Sequence, residues 1–230
     1  MVIILSNVTT NSEVLPFISA TQAPLQLQDV VITNFKGDLF KLAGGSQNYL
    51  SMTRVRIENA SNSYRAPLII TENYRVSLIE VDIKHVNNMF SIMYIENPFQ
   101  VTINKFNAYN ITKPYYALKE LNAKAVTYHS AVDGLCLTAK GVRSVWINES
   151  NFINIGSSCL SLSGPSILNP YLSVSIENSV FDNSALQEVF SGSTGVTWLR
   201  LLQLSNIFIA NTAFLANKLA PKYGGVSIFK

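Results

Sequence analysis

An apolar residue, a one-residue gap and a second apolar residue recur along this chain at intervals of 22 to 33 residues. The pairs are Val2/Ile4, Leu25/Leu27, Leu50/Met52, Val76/Leu78, Val101/Ile103, Ala123/Ala125, Val145/Ile147, Val174/Ile176 and Ile207/Ile209. Alternation with period two is the mark of a strand with one buried face. A repeat of this length means stacked supersecondary units, because one unit cannot bury its own apolar face. Two more columns follow from the same starts. Seven residues on stand Thr9, Ile32, Ile57, Ile83, Ala108, Ser130, Phe152, Phe181 and Phe214; nine residues on stand Asn11, Asn34, Asn59, His85, Asn110, Val132, Asn154, Asn183 and Ala216.

The second column is rich in asparagine for a physical reason. A carboxamide can bond its counterparts in the coils above and below, and asparagine tolerates tight-turn backbone. Asn11, Asn34, Asn59, Asn110, Asn154 and Asn183 are therefore expected to form a ladder along one edge, with His85 substituting as a turn hydrogen-bonder. A second apolar stretch follows in most repeats, as in Leu39-Phe40-Lys41-Leu42, Phe90-Ser91-Ile92-Met93, Leu135-Cys136-Leu137 and Leu160-Ser161-Leu162. Each repeat thus carries at least two short strands. The expected fold is all-β, a right-handed parallel β-helix solenoid of about nine coils. The alternative is a leucine-rich repeat, whose period overlaps this one. Against it, Asn mostly follows the last apolar position by two residues where that motif needs three, Val and Ile outnumber Leu at inward positions, and no helical segment recurs.

Composition agrees. Of 230 residues, 48% are hydrophobic and only 13% charged, which excludes a disordered chain and a charge-laced coiled coil. No apolar run reaches the length of a membrane-spanning helix. A net charge of +3 does not imply nucleic acid. Two cysteines cannot build a zinc site or a disulfide framework, and no cofactor is expected. With Leu135 stacked on Leu160, Cys136 and Cys159 would lie diagonally as free or buried thiols.

The pattern resembles the pectin-lyase-like right-handed parallel β-helix superfamily. The closest echoes are Val174-Ser-Ile-Glu-Asn-Ser-Val-Phe-Asp-Asn183, Asn211-Thr-Ala-Phe-Leu-Ala-Asn217 and Gly224-Gly225-Val226. These are similar to the Phe-x-x-Asn and Gly-Gly-Ala repeats of polymorphic outer-membrane and related non-enzymatic surface proteins. The Phe-x-x-Asn spacing is met only at Phe214, so the likeness bears on fold more than on function. What it implies is an extracellular or cell-surface scaffold, structural or adhesive, meeting proteins or glycans.

Enzymes of this fold that act on acidic polysaccharides need clustered carboxylates. The acids here are scattered, and no adjacent Asp-Asp pair occurs. Glu80 and Asp82 alternate on one strand and read as solvated charges sharing a face. His129 falls in no catalytic motif that pairs it with an acid and a nucleophile. The chain reads as non-enzymatic, with no catalytic or metal-binding residue. The alternative is a carbohydrate-active β-helix, lyase or hydrolase, whose site lies mostly outside this segment.

Several surface features remain. Trp146 and Phe208 fall at outward strand positions and Trp198 in the longest turn, forming a candidate contact surface. Lys105, Lys113, Lys119, Lys124, Lys140 and Arg143 make the middle coils basic, against Glu120 and Asp133. Four glycosylation sequons begin at Asn7, Asn59, Asn110 and Asn148. Asn148, outward on a strand, is the best acceptor and Asn7 is ambiguous; Asn59 and Asn110 belong to the ladder and are expected bare. Residues 1–230 read as a single segment interior to a longer solenoid, with further coils or neighbouring subunits expected at both ends.

Overall fold

The computed structural model describes residues 3–6, 16–45, 47–62, 67–88, 91–112, 135–156, 158–165, 173–182, 199–204, 206–215 and 226–229. Within these the chain is all-β, and every strand pairing is parallel. Successive strands rotate through three faces, so that each rung lies on the one before, as in a parallel solenoid. Alternate burial along many of the strands sets the faces. In Ser144–Asn148, for example, Val145 and Ile147 are buried while Trp146 is exposed.

The first face runs from the opening halves of Leu25–Thr33, Tyr49–Glu58 and Arg75–Asn88 through Val101–Asn104, Ser144–Asn148 and Ser173–Glu177 to Asn206–Ala210. The second begins at Ile3–Ser6, takes the closing halves of the three long strands, and continues through Asn107–Thr112, Asn151–Ile155, Val180–Asp182 and Ala213–Leu215. The third is a separate sheet of Ile18–Thr21, Phe40–Ala43, Ile69–Glu72, Met93–Glu96, Leu137–Lys140, Leu160–Ser163, Leu199–Leu202 and Val226–Phe229.

Among the described residues, most corners turn on a single left-handed residue. Between the first and second faces these are Asp29, Arg54, Glu80, Lys105, Glu149, Asn178 and Asn211. After the second face they are Asn34, Asn59, His85, Asn110 and Asn154. The corner from the third face back to the first uses Gln22, Asn73, Asn97, Gly141 and Gln203. Left-handed backbone is costly for most residues and least so for Asn, Asp and Gly, which accounts for the asparagine-rich column. At Gly141, with φ 71°, a Cβ would press on the Asn97 side chain, so a larger residue would be strained and would have to displace it.

The interior is a set of apolar columns. Leu50, Val76, Val101, Val145 and Val174 stack on the first face. On the second, Ile32, Ile57, Ile83, Ala108, Phe152, Phe181 and Phe214 stack in one register. The last three rings pile face to face, with centroids 4.7 Å and 5.1 Å apart. Each buried aliphatic or aromatic side chain contributes about 1.5–3 kcal/mol, and a stacked ring pair adds about 0.5–1.5 kcal/mol.

Three expectations need correction. Ile3–Ser6 pairs with Val30–Thr33, so Leu5 opposes Ile32 and the first strand belongs to the second face. Val2-Ile3-Ile4-Leu5 is apolar throughout, and an unbroken apolar run carries no period-two phase to set its register. Next, Val101–Asn104 is bordered by Arg75–Asn88 on one side and by Ser144–Asn148 on the other, with Val101 opposite Val145. Both edges are taken, so Val145 follows Val101 directly on the first face. Ala123, Ala125 and His129 lie outside the described residues. Finally, Leu137, not Leu135, opposes Leu160, which brings Cys136 directly over Cys159. The Cys136 amide donates to the Cys159 carbonyl at 3.0 Å, and both thiols are free and buried.

Candidate contact surface and its supporting ladders

The outward side of the first face presents Gln26, Ser51, Ser77, Thr102, Trp146, Ser175 and Phe208 as one column. Five of these are small or polar, as a solvated sheet face requires. Trp146 is 37% exposed and Phe208 57% exposed, and they flank Ser175 in consecutive rungs. Two rung spacings put the aromatics about 10 Å apart along the column. Beside them, the Ser175 hydroxyl donates to Glu177 Oε1 at 2.6 Å. Two aromatic platforms, a hydroxyl and a carboxylate thus share one flat surface. Trp198 lies outside the described residues.

This face is anchored by the corner beside it, whose first five rungs alternate in charge: Asp29, Arg54, Glu80, Lys105, Glu149. Arg54 donates twice to the Asp29 carboxylate, Nε to Oδ1 at 2.5 Å and Nη2 to Oδ2 at 2.9 Å. That bonding holds the Asp29 carboxyl below its ordinary pKa and raises that of Arg54. Lys105 reaches Glu80 at 3.5 Å. Sequence reading placed Glu80 and Asp82 on a common face. The left-handed turn at Glu80 breaks the alternation, leaving Glu80 in the corner column while Asp82, on the second face, accepts from Asn107 at 2.7 Å.

In later rungs carboxamides replace charges. Asn148 Nδ2 donates to Asn104 Oδ1 at 3.1 Å and to Glu149 Oε1 at 3.1 Å, while Asn148 Oδ1 accepts from Asn178 at 2.8 Å. Asn211 continues to Asn178 at 3.3 Å. Just inside the corner runs a hydroxyl ladder. Ser150, Ser179 and Thr212 each donate to the carbonyl two residues earlier, and Ser150 and Ser179 accept the backbone amides of Phe106 and Ser150. A further chain links Asp82, Asn107 and Asn151, the last bond being 2.8 Å. Neither the charge ladder nor the hydroxyl ladder was read from the sequence. Their signal was present at four and five residues after each repeat start, as alternating sign and as Ser/Ser/Thr.

The expected asparagine edge lies at the opposite end of the second face. Register puts Asn34, Asn59, His85, Asn110 and Asn154 in one column. Asn154 Nδ2 donates to Asn110 Oδ1 at 3.0 Å, and Asn110 Nδ2 meets His85 Nδ1 at 3.3 Å. Asn34, Asn59 and His85 are exposed, while Asn110 and Asn154 are half-buried. Asn11, Asn183 and Asn7 lie outside the described residues. Of the basic residues, Lys105 is paired as above, the Lys140 ammonium lies 5.2 Å from the Tyr94 ring and the Arg143 guanidinium 4.9 Å from Phe99. Lys113, Lys119, Lys124, Glu120 and Asp133 lie outside the described residues.

Among the described residues no three His, Cys, Asp or Glu side chains cluster to hold a metal ion, and no helix is long and apolar enough to cross a membrane. No family model, curated protein or solved structure matches the chain.

Proposed function

We propose that this chain is part of a structural and adhesive scaffold, a right-handed parallel β-helix of the non-enzymatic, pectin-lyase-like surface-protein kind, working outside the cell or on its surface. Its first face is the contact surface, and glycans are the partner its chemistry suits best. The observation that carries this is the placement of Trp146 and Phe208. Large aromatics on an otherwise Ser/Thr-rich sheet face cost solubility unless something covers them. Aromatic faces stack on the apolar faces of sugar rings, while the neighbouring Ser175 hydroxyl and Glu177 carboxylate can bond sugar hydroxyls. Neighbouring proteins are the second class of partner for such a face.

The test is binding of the full-length protein to an array of neutral and acidic polysaccharides. Trp146→Ala combined with Phe208→Ala should abolish retention while leaving the far-ultraviolet circular dichroism unchanged. Retention that survives the double substitution would sink the proposal. Turnover of a polysaccharide, lost on replacing carboxylates within these coils, would establish a carbohydrate-active enzyme in its place.

The last described rung supports contacts at the solenoid end as well. Its inward residues Ile207, Ile209, Phe214 and Val226 are only half-buried, and Ile228 is exposed. A neighbouring subunit would cover this apolar surface. Residues 1–230 expressed alone should aggregate or associate end to end. A stable monomer in size-exclusion chromatography would contradict this.

A further inference from the structure

We propose that Asn59 is a site of N-linked glycosylation when this chain passes through a glycosylating secretory pathway, a reading that rests on the extracellular placement above. It reverses what the sequence suggests, and the reversal comes from how each sequon is built into the fold. Asn148 uses both amide hydrogens, one to Asn104 and one to Glu149, and its oxygen accepts from Asn178. A glycosylated carboxamide retains one hydrogen, so a sugar there breaks a rung of the ladder. The third residue of the same sequon, Ser150, is fully buried and bonded to the Asn148 carbonyl at 2.8 Å. Asn110 is half-buried between His85 and Asn154 and bonded to both.

Asn59 differs on each count. It is exposed at a left-handed corner with φ 53°, and its carboxamide makes no hydrogen bond among the described residues. Its neighbours in the column, Asn34 and His85, are exposed too, so the surface around it is open. Ala60 anchors the corner by burial, and Ser61 is half-buried, with its backbone amide bonded to Phe35. A glycan at Asn59 projects from the corner without displacing any bond the fold uses.

The donor is a lipid-pyrophosphate-linked oligosaccharide. The Asn59 Nδ2 forms a bond to the anomeric carbon of the first sugar as the carbon–oxygen bond to pyrophosphate breaks. The lipid pyrophosphate leaves with the bonding pair, and one amide proton goes to a base of the transferase. Transfer acts on the extended chain, so every sequon is offered. Folding then selects, because chains glycosylated at Asn110 or Asn148 cannot close their ladders.

The experiment is secretion of the full-length protein from eukaryotic cells behind a heterologous signal peptide, with site-resolved mass spectrometry of the folded product. Asn59 should be occupied in most molecules, and Asn110 and Asn148 bare. Asn59→Gln and Ser61→Ala should each remove the same glycan without lowering secretion. Glycan on Asn148 or Asn110 with Asn59 bare overturns the assignment, as does a secreted, folded product with no glycan on Asn59. Since secretion is imposed, native protein found only inside cells would defeat the extracellular reading and leave this test standing.

Discussion

The corner beside the first face is built in two chemistries, and the change falls along the solenoid axis. In the early rungs Asp29, Arg54, Glu80 and Lys105 alternate in sign and lie largely in solvent. In the later rungs Asn148, Asn178 and Asn211 pass carboxamide bonds from one coil to the next, backed by the buried hydroxyls of Ser150 and Ser179. The backbone is the same in both, with φ between 47° and 55° at Asp29, Arg54, Glu80, Lys105, Glu149, Asn178 and Asn211. What differs is how each half meets its surroundings. Exposed ion pairs are weak and screened by salt, whereas a buried hydroxyl that satisfies a backbone amide is expensive to remove. One geometry can therefore be held by interactions with opposite sensitivities.

The largest expected effect is in the later half. Phe181 is fully buried between the rings of Phe152 and Phe214. Phe181→Ala should destabilise by about 3–5 kcal/mol, seen as a lower urea midpoint. Because a solenoid couples mainly nearest neighbours, hydrogen exchange should quicken first in the rungs flanking residue 181. Equal acceleration at Leu25–Thr33 would show that the halves are not separable.

Ser179→Ala comes next. Its hydroxyl donates to the Glu177 carbonyl at 2.7 Å and accepts the Ser150 amide at 3.2 Å. Removing it leaves a buried amide unsatisfied, at a cost of about 1–3 kcal/mol, independent of salt. A salt-dependent loss would erase the contrast between the two halves.

The thiols supply a local clock. Burial, first, and contact with Cys136 push the Cys159 thiol well above its ordinary pKa, so the reactive thiolate is scarce in the folded state. Labelling by a thiol reagent should wait for unfolding, and Phe181→Ala should shorten that wait. Rapid labelling of the intact protein would place Cys159 outside the core.

The smallest effect belongs to the early half. Arg54→Ala should lower stability only slightly, and the loss should shrink as salt rises. Its pH dependence has a definite sign. Asp29 has a depressed pKa, first through its hydrogen bond from Arg54. Its contribution is present above the unfolded carboxylate pKa and is lost as pH falls through the folded value. Wild type and Arg54→Ala should therefore converge in acid and separate at neutral pH. Curves that stay parallel throughout would show that the ion pair adds nothing.

Much of the stacking was legible because inward strand positions must be apolar in every rung. Leu25, Leu50, Val76, Val101, Val145, Val174 and Ile207 are register partners in series, as spacing suggested at every step but the one from Val101 to Val145. Errors arose where that signal lost its phase or its weight. Val2 to Leu5 is apolar at every position, and Ala123 and Ala125 carry too little side chain to distinguish a buried strand from any other segment. The candidate contact surface was legible in part, since Trp146 and Phe208 broke the polar pattern of the outward column.

By itself, then, the sequence determined the parallel stacking of short strands and the identity of most inward columns, because burial acts on each residue through its own apolar area. The tertiary structure decided which rungs are neighbours, as where Val145 follows Val101 directly, and which side chains meet across them. Arg54 finds Asp29 and Cys136 covers Cys159 only once the register is set. The same holds for the sequons. The sequence set Asn148 outward on a strand and Asn59 in the ladder, but the bonds that tie Asn148 to Asn104, Glu149 and Asn178 exist only in the fold, because a hydrogen bond depends on a partner that sequence spacing does not locate.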